Sequence, residues 1–198
     1  MKYDLHSHSI ASDGTLTPAA LVRAAKEAGV THLALTDHDT LGGLAEAQQQ
    51  AHEQGINLIP GAELSALWQG RTIHIVGLQL DPESTVLLQG IKQQLEFREW
   101  RGREIARRLE RKAKISEAYA GALAFVHGGL VSRSHFARYL VQAGYAPDFS
   151  RAIKKYLLKG KPGHVRGEWA SLEAVVGWIR AANGIAVLAH PARYNLSA

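Results

Sequence analysis

Two histidines one residue apart, His6 and His8, stand where the short apolar segment Tyr3 to Leu5 runs out. Asp13 follows in Ser12-Asp13-Gly14, and His38 lies between two acids in Asp37-His38-Asp39. Glu63 comes after Gly61-Ala62, His74 sits within an apolar alternation, and His190 stands in Ala189-His190-Pro191. Imidazole and carboxylate recurring at strand ends suggest one oxygen- and nitrogen-rich metal site. Alternation along an extended chain puts both rings of a His-x-His pair on one face, the arrangement for two ligands on one ion. A carboxylate such as Glu63 can bridge two cations, one per oxygen. Two cations about 3.5–4 Å apart can activate a water and stabilise the charge that develops in a phosphoryl displacement.

Each signal has an ordinary explanation when taken alone. His-x-His pairs are common, Asp37-His38-Asp39 reads equally as a turn with helix-capping aspartates, and His74 as a satisfied histidine of a half-buried strand. Their conjunction is harder to explain away, because five of the ten histidines fall at matching positions near strand ends. Of the others, His32 opens a strand and His52 flanks a helix, while His127 and His164 read as surface or loop residues.

The elements that must position these groups alternate. The sequence predicts strands over Tyr3 to His6, Thr31 to Thr36, Ile56 to Pro60, Thr72 to Leu80 and Gly184 to Ala189. Thr17-Pro18 predicts an N-cap and first helical residue, with Gly29 as the stop. Leu44 to Gln54 is a second helix ended by Gly55, and Ser171 caps a helix over Leu172 to Ala182, with Glu173 near its start. Short apolar strands between amphipathic helices indicate a parallel sheet or barrel, with functional groups at the C-terminal strand ends. The rhythm breaks at Asp81-Pro82. From about Ser84 to Lys114 the chain reads as one long charged helix, and further helical pieces run to about Lys159, punctuated by Gly128-Gly129 and Ala146-Pro147. The expected organisation is a sheet-and-helix domain made of residues 1–83 and 168–198, interrupted by a helical insertion at 84–167.

Composition narrows the setting. A chain of 198 residues with 46% hydrophobic and 21% charged residues is long enough to bury a core and is not biased toward disorder. It has no cysteine, so disulfides, thiolate metal sites and cysteine nucleophiles are excluded. No apolar run suits a membrane span and nothing at the N-terminus looks like a signal peptide, so a cytoplasmic location is expected. The net charge of +5 hides a division: residues 92–167 hold 17 Lys and Arg against 6 Asp and Glu, while the remainder holds 6 against 12. The acidic part carries the ligand-type residues; the basic part suits an anionic partner such as a nucleotide, although a solvated helix face explains many of these cations equally well. No motif points specifically to DNA.

The motifs resemble the PHP (polymerase and histidinol phosphatase) domain. Asp4-Leu5-His6-Ser7-His8-Ser9, Ser12-Asp13-Gly14, Leu35-Thr36-Asp37-His38-Asp39-Thr40, Pro60-Gly61-Ala62-Glu63 and Leu188-Ala189-His190-Pro191 match it in order. The helical stretch resembles one branch of the family: Gly128 to Leu140 and Tyr156 to Gly163 look like bacterial enzymes that hydrolyse nucleoside 3′,5′-bisphosphates or trim short RNA from its 5′ end. This resemblance implies a distorted (βα)7 TIM-like barrel with an inserted helical domain. It also implies a site for up to three divalent metals, manganese first, with iron or zinc as alternatives. Carried over by position, His6, His8 and Glu63 hold one metal, Glu63 with His74 and His190 a second, and Asp13 with His38 part of a third. Asp37 orients ligands, and Arg133 and His135, with Lys161 and Arg193 as weaker candidates, bind the substrate phosphate. A metal-activated water then makes a side-chain nucleophile unnecessary.

Relatives in this family continue past the His-Pro-x-Arg-Tyr segment into further strands bearing a Gly-Ser-Asp-x-His motif. The barrel is therefore expected to be incomplete in this chain, its last strands and two ligands lying in a missing C-terminal segment or a completing chain. Two alternatives accompany the expected phosphoesterase activity on nucleotide or short RNA substrates. One is a phosphatase of the histidinol-phosphate type, the other a non-catalytic nucleotide-binding fragment.

Overall fold

The computed structural model describes residues 1–194. It divides into two compact units: residues 1–95 with 167 onward, and residues 96–166. The first unit is a five-stranded sheet in the order β1 (Tyr3–Ser7), β2 (His32–Leu35), β3 (Asn57–Trp68), β4 (Arg71–Leu78) and β5 (Ile185–Leu188). Helices α1 (Pro18–Glu27) and α2 (Leu44–Gln54) connect the first three strands, and α7 (Leu172–Ala181) leads into β5.

The local signals explain why the helices begin and end where they do. The Thr17 hydroxyl accepts the Ala20 amide at 3.1 Å ahead of Pro18, and the Ser171 hydroxyl accepts the Ala174 amide at 3.2 Å. Gly29 and Gly55 leave their helices at φ +76° and +63°, in the left-handed region that favours glycine. Val22, Ala25, Ala47 and Ala51 then meet Leu33, Leu35 and Leu58 of the sheet in one core cluster.

Strands β1, β2 and β3 are parallel, as the alternation of strands and helices indicates, but β3–β4 and β4–β5 are antiparallel. The cause is a tight hairpin. Gln69 and Gly70 have φ of +47° and +73°, the twist-matched geometry of a two-residue loop. Asparagine usually announces such a turn; glutamine conceals it. β3 is correspondingly long: Asn57 to Pro60 pair with β2, and Gly61 to Trp68 continue as one arm of the hairpin. Both terminal strands of the sheet are exposed, with Tyr3, Leu5, Ile185 and Val187 among the exposed apolar side chains.

The 29-residue α3 (Thr85–Ala113) crosses the unit boundary after Leu95. Its first third belongs to the sheet unit, where Leu87 and Ile91 join Leu64, Ile73, Val175 and Ile179 in a second core cluster. The other unit contains the rest of α3, α4 (Ala118–Leu123), α5 (Arg133–Gln142) and α6 (Phe149–Ala152), which runs into a π-helical turn at Ile153–Leu157. Its described residues include no strand. Ile105, Leu109, Phe136, Leu140 and Leu157 form its centre. Among the described residues no helix is long and apolar enough to cross a membrane.

Gly90 tests how closely α3 is fitted to the sheet unit, because a Cβ there would come 2.3 Å from the Trp178 ring of α7. Alanine gains about 1 kcal/mol of helix propensity but overpacks at a cost of about 1–3 kcal/mol. Gly90→Ala should therefore lower the urea midpoint, a net loss of up to about 2 kcal/mol. An unchanged or raised midpoint would show that the indole moves aside.

Candidate metal centre

Glu63 lies three residues past Pro60, where the parallel pairing of β3 with β2 ends. Its backbone is held there by the chain that leaves β2. The Glu63 amide donates to the carbonyls of Thr36 and Asp37 at 3.2 and 3.1 Å, and its carbonyl accepts the Asp39 amide at 3.0 Å. The carboxylate is 1% exposed. His6 from β1 and His8 just after it place Nε2 atoms 3.0 and 3.2 Å from Oε2, and His38 places Nδ1 3.3 Å from the same oxygen. His74 is next but one to Val76, the residue paired with Glu63, and so shares its face of the sheet. Its Nδ1 lies 2.9 Å from Oε1, and Nε2 of His190, after β5, lies 3.0 Å from that oxygen.

Five imidazole nitrogens thus surround two oxygens that offer about four lone-pair directions. Protons alone satisfy such a cluster poorly. The Nδ1 atoms of His8 and His190 are buried with no hydrogen-bond partner among the described residues. The separations do suit cations: two ligand atoms bonded at about 2.1 Å lie about 3.0 Å apart at a right angle and about 3.4 Å apart at the tetrahedral angle. Three overlapping sets bring one ligand atom from each member within 4.8 Å of the others: His6, His8 and Glu63; His8, Asp13 and His38; and His38, Glu63 and His74. The donor set is all nitrogen and oxygen, which fits manganese, iron or zinc.

Burial alone would raise the Glu63 pKa. Hydrogen bonds from His6, His74 and His8, with the charge of His38, outweigh it and hold the carboxyl well below the usual carboxylate range. Burial lowers His190, aided by neighbouring His74 and Arg193, which favours the neutral imidazole that a metal requires. For His8, burial is overcome by Glu63, Asp13 and Asp37, and its pKa rises.

The two aspartates beside His38 do separate structural work. Asp37 is buried and accepts the Ser9 amide at 2.7 Å, the Ser9 hydroxyl at 2.6 Å and the Ser12 hydroxyl at 2.6 Å. It thereby fixes the loop that carries Asp13. Gly14 closes that loop so tightly that a Cβ would sit 2.4 Å from the His8 carbonyl oxygen. Asp39, at φ +51°, accepts the Ser65 amide at 2.6 Å and the Ser65 hydroxyl at 2.9 Å, fixing β3 beyond Glu63. Neither caps α2, whose N-cap is Gly43, so the helix-capping alternative does not hold. Asp39 and Ser65 had no separate signal in the sequence. Tyr194 was legible only as part of a motif, yet its hydroxyl accepts the His74 amide at 2.9 Å.

The seven candidate ligands therefore come together in the sheet unit. Arg193 is exposed in the turn after His190 and close enough to lower its pKa. Arg133, His135 and Lys161 belong to the helical unit. Arg133 is exposed at the first residue of α5, and Lys161 is exposed in a loop. His135 is 2% exposed, and its Nδ1 accepts the Ser132 amide at 3.0 Å in a reciprocal cap of α5.

Asp37→Asn preserves shape but turns an acceptor toward three donors as a mixed donor and acceptor. With metal chelated, it should cost about 2–3 kcal/mol of stability by urea denaturation. A midpoint equal to wild type would mean that the Ser9–Ser12 loop is held by other contacts.

The PHP domain family matches residues 4–165. The 5′-3′ exoribonuclease Rnm of Escherichia coli is 48% identical over 198 residues, covering 99% of this chain and 67% of its own length. A 3′,5′-nucleoside bisphosphate phosphatase of Chromobacterium violaceum is 46% identical over 194 residues, covering 98% and 68%. The chain thus spans about two thirds of the length of these relatives. Among solved structures, an amidohydrolase from Chromobacterium violaceum with bound sulfate and no metal superposes with a TM-score of 0.95 at 45% identity, covering 100% of this chain and 69% of that one. A Bifidobacterium adolescentis protein described as a metal-dependent phosphoesterase superposes at 0.89 and 29% identity, covering 96% and 66%. A buried carboxylate ringed by histidines, on a sheet that these relatives share, makes this chain a member of the PHP-domain family of metal-dependent phosphoesterases.

Proposed function

We propose that the chain serves the hydrolysis of nucleoside 3′,5′-bisphosphates, short 5′-phosphorylated RNA, or both, at the Glu63 centre. One observation carries the reading: a single buried carboxylate offers each of its oxygens to a separate group of imidazoles. His6, His8 and Glu63 would hold one divalent cation, Glu63, His74 and His190 a second, and Asp13 with His38 part of a third. Manganese is the first choice. Bound cations would supply Lewis acidity toward water and the phosphoryl oxygens.

The remaining chemistry falls to the chain. Glu63 is ionised over the working pH range, so loading it requires no proton to be removed. The nearby hydroxyls are committed elsewhere: Ser7 donates to the Ala34 carbonyl at 2.6 Å, and Ser9 and Ser12 donate to Asp37. They are poor candidates for a nucleophile, which favours attack by water. Arg193 beside His190 adds positive charge where a phosphate would approach. Arg133 offers a planar fork of donors suited to a phosphate, with Lys161 as a further cation and His135 keeping the start of α5 in place. The names of the relatives support a nucleotide or RNA substrate, and the sulfate bound by one of them supports a site for a tetrahedral dianion.

Phosphate release from both substrates, with metal content measured on the same samples, tests the reading. His8→Ala and Glu63→Ala should keep their circular dichroism but lose more than about 100-fold in kcat and bind fewer ions. Full activity in either variant would remove the residue from the centre. Arg133→Ala should raise KM about 10-fold with kcat little changed. An unaltered KM would take Arg133 out of substrate binding.

A further inference from the structure

On α3, the rings of Phe97 and Trp100 are stacked, with centroids 5.5 Å apart and planes 29° from parallel. Trp100 is 51% exposed. A solitary exposed apolar residue is unremarkable on any protein surface. Here the exposed indole has a second ring behind it and lies in the run Phe97-Arg98-Glu99-Trp100-Arg101, where arginines interleave with the aromatics. Arg101 itself is half-buried and donates to the Val165 carbonyl at 3.5 Å, and it lies close enough to Arg133 and Arg98 to feel the charge of both. The helical unit as a whole carries 16 Lys and Arg against 6 Asp and Glu. Its acidic side chains include Glu99 and Glu104, and these are occupied by Arg103, Arg107 and Arg108 through pairs within the same helix.

Rings for bases and guanidinium groups for phosphates form the surface that single-stranded nucleic acid requires, because every base has a π-face whatever its sequence. A duplex keeps its bases stacked inside and cannot use such a platform. An acidic peptide would answer the charge but not the exposed ring. We propose that the Phe97–Trp100 face of the helical unit binds single-stranded RNA, one base stacking on the Trp100 indole and the flanking phosphates interacting with Arg98 and the exposed cations of the same unit. This deepens the phosphoesterase reading and rests on it for the class of ligand. It makes the protein a binder of oligonucleotides beyond the terminal nucleotide.

Binding can be measured without turnover. A 3′-fluorescein-labelled, 5′-phosphorylated oligouridylate of about ten nucleotides is titrated in excess chelator and followed by anisotropy. Wild type should bind, and Trp100→Ala should raise Kd about 10-fold. Trp100→Phe, which keeps an aromatic face, should recover most of the affinity; Trp100→Leu, which keeps only apolar bulk, should not. Absence of wild-type binding, equal affinity in Trp100→Ala, or equal recovery by Phe and Leu would overturn the proposal. So would sedimentation showing a wild-type dimer that Trp100→Ala dissociates while its RNA affinity stays the same, which would make this a self-association face. Failure of the phosphoesterase reading would appear separately, as wild-type protein that releases no phosphate when loaded with metal.

Discussion

The Glu63 carboxylate is the constraint on which the sheet unit depends. A buried carboxylate is costly unless hydrogen bonds or opposite charges compensate it. Here the compensation comes from four separate places in the chain: β1 and its end, the segment after β2, β4, and the end of β5. No local element can assemble such a set. The centre therefore exists only when β1, β2, β4 and β5 are all in register with β3, and the sheet topology answers that need. Parallel pairing brings the ends of β1 and β2 to the place where Glu63 emerges, and the hairpin returns His74 to the same face.

The segment Asp37-His38-Asp39 turns this convergence into a fixed geometry. His38 forms a bridge with Glu63, while Asp37 reaches back to the loop after β1 and Asp39 forward to Ser65. Three consecutive residues thus tie together three elements that each supply a ligand-type side chain. Charged acceptors make the stronger hydrogen bonds, and neither aspartate is left unsatisfied in the interior. This clamp consists of hydrogen bonds within the protein, and it holds the backbone on either side of His38. Tyr194 extends the same logic to β4, where its hydroxyl accepts the His74 amide.

Much of this was legible in the sequence because it depends on local chemistry. Thr17-Pro18, Gly29, Gly55 and Ser171 mark helix ends through hydrogen bonds and dihedral angles that their own residue types determine. The histidines were legible because their spacing and the apolar runs before them can be read together. The second half of β3 was not. Gly61 to Ala66 are buried on both faces, so the alternation that reveals a half-buried strand is absent. The hairpin was hidden by Gln69 in a position where asparagine is the usual sign. The duties of Asp39 and Ser65 could not be read at all, since a contact between residues 26 apart is a property of the register and leaves no trace in either local sequence.

The charge division between the units is better explained by function than by stability. In the helical unit, Glu99 and Glu104 form i,i+3 and i,i+4 pairs with arginines of the same helix, and exposed pairs of this kind contribute about 0–1 kcal/mol each. The remaining surplus of cations repels itself. Arg101 shows the strain: burial, with the charges of Arg133 and Arg98, pushes its pKa down to about 9. His164 is lowered too, by burial and by Arg101, Arg108, Arg133 and Lys159. The apolar core of this unit, built on Leu109, Phe136, Leu140 and Leu157, does not need that crowding. Cations concentrated against their own repulsion in one unit, and a carboxylate buried among histidines in the other, are both arrangements that stability alone does not call for.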